Sequence, residues 1–141
     1  MNAQTEEIDA TQDRIIAEIS ALDEWTDVYQ YLIGLGKKLK VPGEEFKTEE
    51  NLISGCQSNL WLASEFKDHK VHYYADSDAV ITRGILALIL KVLNRRRPED
   101  ILNAELYFID QTGLSEHLSP VRSNGLAQVI VHIREHALRY V

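Results

Sequence analysis

Cys56 is the only cysteine among the 141 residues, so any sulfur chemistry in this chain runs through a single thiol. It sits in Gly55-Cys56-Gln57-Ser58, where the neighbours are small or polar and follow no apolar period. A core cysteine ordinarily replaces a small hydrophobe inside a patterned element, and this one does not. Gly55 lets the backbone turn tightly and keeps side-chain bulk away from the sulfur. Reactivity requires the thiolate, and an unperturbed thiol has a pKa of about 8.5, so a reactive Cys56 needs a cation or backbone amides nearby. Residue types alone leave two readings open, an inert, partly buried thiol and a nucleophile.

The count of one also excludes chemistry. No internal disulfide can form, no Cys-x-x-Cys pair exists for zinc or redox cycling, and the several thiolates that usually hold an iron–sulfur cluster are missing. His132 and His136 are four apart on an apparent helix, the spacing of a metal pair. The glutamate falls at 135, however, which is not the His-Glu-x-x-His arrangement of a metalloprotease. With His117 or a distant carboxylate as the only third ligands on offer, the pair reads as surface histidines, and no metal is expected. His69 and His72 flank a turn and a strand without an identifiable partner. A dyad of Cys56 with one of these histidines stays open, because such partners need not be adjacent in sequence.

Asp76 and Asp78 lie in Asp76-Ser77-Asp78, which reads as a helix start whose side-chain oxygens accept from free backbone amides. Arg95-Arg96-Arg97 reads as a solvated helix end, where cations suit the dipole. Arg122, within Ser119-Pro120-Val121-Arg122-Ser123-Asn124-Gly125, is different. It puts a cation at a helix start, where the dipole disfavours it, so it needs a carboxylate inside the protein or on a docking partner.

The elements that position these residues follow from periodicity. Ile8, Ile15, Ile19 and Leu22 share a helical face over 6–22. Trp25, Val28, Tyr29, Leu32 and Ile33 mark a second helix, which Gly34 and Gly36 are expected to end. Asn59 to Phe66 and Lys70 to Ala75 read as strands joined by a hairpin turn at Lys67-Asp68-His69, and Asn51-Leu52-Ile53 as a third strand. Val80, Ile81, Ile85, Leu88, Ile89, Val92 and Leu93 form the most hydrophobic helix, in which Gly84 admits close approach of another element, with the sheet as the expected neighbour. Pro98 suits the first turn of a short helix. The stretch 105–111 fits strand or helix, and a last helix from about Ser123 uses Leu126, Val129, Ile130, Ile133 and Ala137. The expectation is one α+β domain over 1–141, with a small three-stranded antiparallel sheet packed against several helices.

Composition agrees with a globular domain, with 45% hydrophobic and 26% charged residues. A formal charge of −7 argues against nucleic acid, which calls for a net cationic face. No apolar run approaches membrane-spanning length and the amino terminus lacks signal-peptide features, so no membrane association and a cytoplasmic location are expected.

Gly55-Cys56-Gln57-Ser58 followed by Leu60-Trp61 resembles the signature loop of the SufE-like sulfur-acceptor proteins. The resemblance continues through Asp76-Ser77-Asp78-Ala79 with Arg83-Gly84, Gly113-Leu114, His117-Leu118-Ser119-Pro120 and Arg122-Ser123-Asn124-Gly125-Leu126. It reaches back to Tyr29, Tyr31-Leu32-Ile33 and Leu35-Gly36, spanning about residues 20 to 138 in order. It implies a compact fold similar to iron–sulfur scaffold proteins of the IscU kind. It further implies that Cys56 accepts sulfane sulfur from a cysteine desulfurase of the SufS or CsdA type, stimulates that enzyme, and passes the sulfur toward a downstream cluster scaffold. The pyridoxal phosphate belongs to the desulfurase, so no cofactor is implied here, and the chain acts as a transfer partner rather than a stand-alone enzyme. Gly55, Gln57 and Ser58 shape the loop in this reading, while Asp76, Asp78 and Arg122 lie near the docking surface. An apolar docking surface would also allow a homodimer. The alternative is a non-catalytic module that holds a metal or nascent cluster, for which one thiolate and scattered histidines are poor ligands; a cysteine hydrolase, lacking a visible base or oxyanion hole, ranks last.

Overall fold

The computed structural model describes residues 3–53 and 58–141, with side chains described for all of these except 3–5 and 120–122. The chain begins with two helices, α1 (Ala3–Ser20) and α2 (Trp25–Lys37). A connection with one 3-10 turn (Glu44–Phe46) leads to a hairpin of β1 (Leu60–Lys67) and β2 (Lys70–Ser77). The remainder is helical: α3 (Val80–Leu93), α4 (Pro98–Asn103), α5 (Phe108–Gln111), α6 (Leu114–His117) and α7 (Pro120–Leu138). The class is α+β as expected.

The hairpin register runs from Leu60 opposite Ser77 to Lys67 opposite Lys70. Asp68 and His69 form the two-residue turn, with φ of 54° and 64°. Positive φ at both central positions gives the turn the twist that matches antiparallel strands, even though neither residue is glycine. Strand alternation sorts the side chains. Leu60 and Leu62 of β1 and Val71, Tyr73 and Ala75 of β2 are buried.

The sheet has two strands among the described residues, not three. Residues 51–53 do approach β1 in antiparallel sense, with Leu52 bridging Trp61. Two hydrogen bonds hold them: Ile53 N–H donates to Leu60 O at 2.8 Å, and Leu62 N–H donates to Asn51 O at 2.9 Å. The pairing stops there, because preceding residues turn back toward Thr48, whose carbonyl accepts from the amides of Asn51 and Leu52. A similar bridge, Val71 with Arg96, lies beside β2.

α3 is the central helix, with Ile85, Leu86, Leu88, Ile89, Val92 and Leu93 buried. α2 packs along it, α1 and β2 also lean on it, and α7 covers β1 and α4. Gly34 and Gly36 do not end α2, which continues to Lys37. Gly36 instead meets Gly84: a Cβ on Gly36 would sit 2.9 Å from the Gly84 nitrogen. The close neighbour of Gly84 is therefore α2, not the sheet. Two facing glycines let the helix backbones approach to a distance that side chains forbid.

Other local expectations resolve similarly. Pro98 occupies the first turn of α4, where its missing N–H costs nothing. The ambiguous stretch 105–111 is coil leading into α5, and α7 starts at Pro120, slightly before Ser123. Among the three arginines, Arg96 Nε donates to the Val92 carbonyl at 3.1 Å, so one cation does cap the last turn of α3.

Candidate functional site

Gly55, Cys56 and Gln57 lie outside the described residues; the structure describes what surrounds them in sequence. On one side, Ile53 is buried and paired to Leu60. On the other, Ser58 is half-buried in a bend before β1. The cysteine thus belongs to a short connection whose two ends are hydrogen-bonded to each other.

Asn59, three residues after Cys56, is tied to the end of β2. Its carbonyl accepts from Ser77 Oγ at 2.7 Å and from the Asp78 amide at 3.3 Å. Its own N–H donates to Asp78 Oδ1 at 3.2 Å. Ser77 Oγ also accepts from the Ala79 amide at 3.2 Å. Asp76 and Asp78 are therefore not the caps of α3, whose N-cap position is Ala79. Asp76 and Ser77 still belong to β2, and Asp78 closes the open end of the hairpin.

Asp76 is buried, with 6% of its surface exposed. A buried carboxylate needs charge partners, and two are present. Lys47 Nζ lies 3.0 Å from Oδ2, and Arg83 Nε lies 2.9 Å from Oδ1. Lys47 also reaches Glu44 at 3.1 Å and stands 5.1 Å from the centre of the Trp61 ring, within cation–π range. Hydrogen bonds to Asp76 first, then Glu44, hold the lysine pKa above its ordinary value. Lys47 carried no signal in the sequence, since a lysine among glutamates in a polar connection reads as solvated surface. Arg83 was visible only as part of the Arg83-Gly84 resemblance.

Arg122 lies in the first turn of α7, and its side chain is outside the described residues. That turn is held by the Ser123 amide donating to Ser119 O at 2.9 Å. Nearby in sequence, the His117 ring stacks on Trp25 with centroids 3.6 Å apart, and Tyr29 OH donates to the His117 carbonyl at 3.2 Å.

His132 and His136 are not a matched surface pair. His132 faces Glu135 at 3.9 Å, whereas His136 is buried, with Nδ1 2.5 Å from Ser64 Oγ. Burial chiefly, then the charges of Arg139 and His132, lower the His136 pKa from 6.5 to about 4. Among the described residues, no group of three or more His, Cys, Asp or Glu is gathered as a metal site requires. No helix among them is long and apolar enough to cross a membrane.

Comparison with known proteins defines the class. Residues 13–137 match the SufE family, described as an Fe-S metabolism associated domain. An uncharacterized SufE-like protein of Rhizobium meliloti is 38% identical over 130 residues, covering 89% of this chain and 93% of the relative. Another, from Rhizobium etli, is 38% identical over 133 residues, covering 91% of this chain and 90% of the relative. The solution structure of a hypothetical protein from Thermus thermophilus superposes with a TM-score of 0.76 at 19% identity, covering 92% of this chain and 95% of that one, which shows the shared fold. The chain belongs to the SufE family and is thereby associated with iron–sulfur metabolism.

Proposed function

We propose that this protein is a sulfur acceptor for a cysteine desulfurase, with Cys56 as the sulfur-carrying residue, feeding iron–sulfur cluster assembly. One observation carries the reading: the only thiol of the chain falls inside the span that matches an iron–sulfur metabolism family. The paired residues Ile53 and Leu60, which bracket the cysteine connection, support it by giving that connection a fixed base.

The chemistry suits one thiol. The Cys56 thiolate attacks the terminal sulfur of the desulfurase persulfide. A new S–S bond forms on Cys56 as the S–S bond on the desulfurase breaks, and the electron pair leaves with the desulfurase cysteine as thiolate. The transferred sulfur keeps its oxidation level, so no external oxidant or reductant takes part. Release to a downstream scaffold repeats the exchange in the opposite role. A second thiol close by would discharge the persulfide by forming a disulfide, and this chain has none. A reducing, cytoplasmic setting fits a carrier that depends on one free thiol.

The test is intact-mass measurement after incubation with a desulfurase and L-cysteine. The wild type gains one sulfur atom, and Cys56→Ser gains none while keeping its circular dichroism spectrum. A persistent gain in Cys56→Ser would overturn the assignment.

A further inference from the structure

Asp76 joins three separate stretches of chain through charge. It is the last residue but one of β2, Arg83 comes from the first turns of α3, and Lys47 comes from the connection between α2 and β1. The two arms differ. Arg83 Nε and Asp76 Oδ1 are close, yet neither is aligned for a hydrogen bond. Lys47 pairs with Oδ2 at 3.0 Å and also lies over the Trp61 ring.

The position of Lys47 gives this contact its interest. A few residues further on, the same connection makes the two backbone hydrogen bonds to Leu60 and Leu62 from which the cysteine-bearing stretch departs and to which it returns. Leu52, Trp61 and Asp76 form one row across the connection, β1 and β2, since Leu52 bridges Trp61 and Trp61 faces Asp76. Lys47 reaches two members of that row, standing over the ring in its middle and pairing with the carboxylate at its far side.

We propose that Lys47 and Asp76 are positioning residues for Cys56: their ion pair fixes residues 51–53 on the start of β1 and so sets how the thiol is presented. The inference rests on the sulfur-acceptor reading for its purpose, but not for its geometry. Phe46 is buried, and Asn51 Nδ2 donates to the Phe46 carbonyl at 2.7 Å. The connection therefore keeps other attachments, and removing the lysine charge loosens its end rather than unfolding it.

The experiment compares wild type, Lys47→Met and Lys47→Arg, without any desulfurase present. Amide exchange is read at Ile53 and Leu62, with Val71, bonded to Arg96 at the other end of the hairpin, as the reference. Lys47→Met is expected to speed exchange at Ile53 and Leu62 by about tenfold and leave Val71 unchanged, with Lys47→Arg restoring the wild-type rate. Alkylation of Cys56 by iodoacetamide, read on the high-pH plateau where the thiol is fully ionised, is expected to accelerate about threefold in Lys47→Met only. Unchanged exchange at Ile53 and Leu62 overturns the proposal, as does faster exchange with an unchanged alkylation rate. Should Val71 exchange rise equally, Lys47→Met has loosened the whole domain, and the milder Lys47→Gln, read on the same amides, decides. Failure of the wild type to take up sulfur overturns the acceptor reading by itself and leaves these two measurements to judge the ion pair.

Discussion

Gly84 lies directly against the backbone of Leu32: a Cβ placed on it would overlap the Leu32 carbonyl oxygen and come within 2.8 Å of the Leu32 Cβ. Both helices would have to move apart at a crossing that includes the fully buried Leu32 and Leu88. Gly84→Ala is therefore expected to destabilise the fold by about 3 kcal/mol, despite the better helix propensity of alanine. Gly34, with nothing within 4 Å of its virtual Cβ, is the control. Gly34→Ala should gain up to about 1 kcal/mol from propensity alone. Urea denaturation of the two variants measures both, and equal midpoints would show that the crossing tolerates a methyl group.

Gln12 links α1 to the stretch before α5. Its Nε2 donates to the Glu105 carbonyl at 2.9 Å, and its Oε1 accepts from the Phe108 amide at 3.1 Å. The residue has no exposed surface. Gln12→Leu leaves both backbone groups unpaired and is expected to cost about 2–4 kcal/mol, far more than a surface glutamine would. The same denaturation assay reads this loss.

His136 predicts an acid-sensitive fold. Its folded pKa of about 4 lies below the unfolded value of 6.5. Above pH 6.5 neither state binds the proton and the histidine is neutral to stability. As pH falls from 6.5 toward 4, the unfolded chain takes up a proton that the folded one refuses, so stability drops across that window and levels off below it. Between pH 7 and about 4.5 the wild type should lose roughly 5 °C more in Tm than His136→Gln, a difference checked by thermal scans at matched ionic strength. Parallel curves would mean that His136 does not titrate differently on folding.

Arg122 stands in the first turn of α7, where its charge opposes the helix dipole. A docking role predicts that Arg122→Ala weakens desulfurase binding by about tenfold by calorimetry, with Tm unchanged or slightly raised. Equal affinity for variant and wild type would remove Arg122 from the interface.

Sequence pattern carried the fold where side-chain burial follows a period. Ile8, Ile15 and Ile19 lie on the buried side of α1 as their spacing requires, and the hairpin falls between two apolar runs separated by a short polar turn. It carried less where a residue answers to a distant partner. Asp76 beside Ser77 and Asp78 has the local look of a cap, because its pairing with Lys47 joins segments too far apart for any local window to hold both. Gln12 and His136 are polar residues on helices, which reads as solvent exposure until a second element covers them. The short helices α5 and α6 are each four residues long, below the length at which periodicity can be measured. The cysteine stretch stands out by its residue types and carries the resemblance, and the family match bears out the family alone.

The two bridges beside the hairpin have a consequence for the protein in a crowded solution. The two strands found among the described residues are all edge, and exposed edges invite pairing with strands of other molecules. Here Leu52 occupies the outer side of β1 at Trp61, and Arg96 occupies the outer side of β2 at Val71, toward opposite ends of the hairpin. Each covers one end of its strand, and along the remaining β1 edge the exposed Phe66 is flanked by Glu65 and Lys67, whose charges discourage stacking. A fold with so little sheet thereby keeps its strands from serving as a template for aggregation.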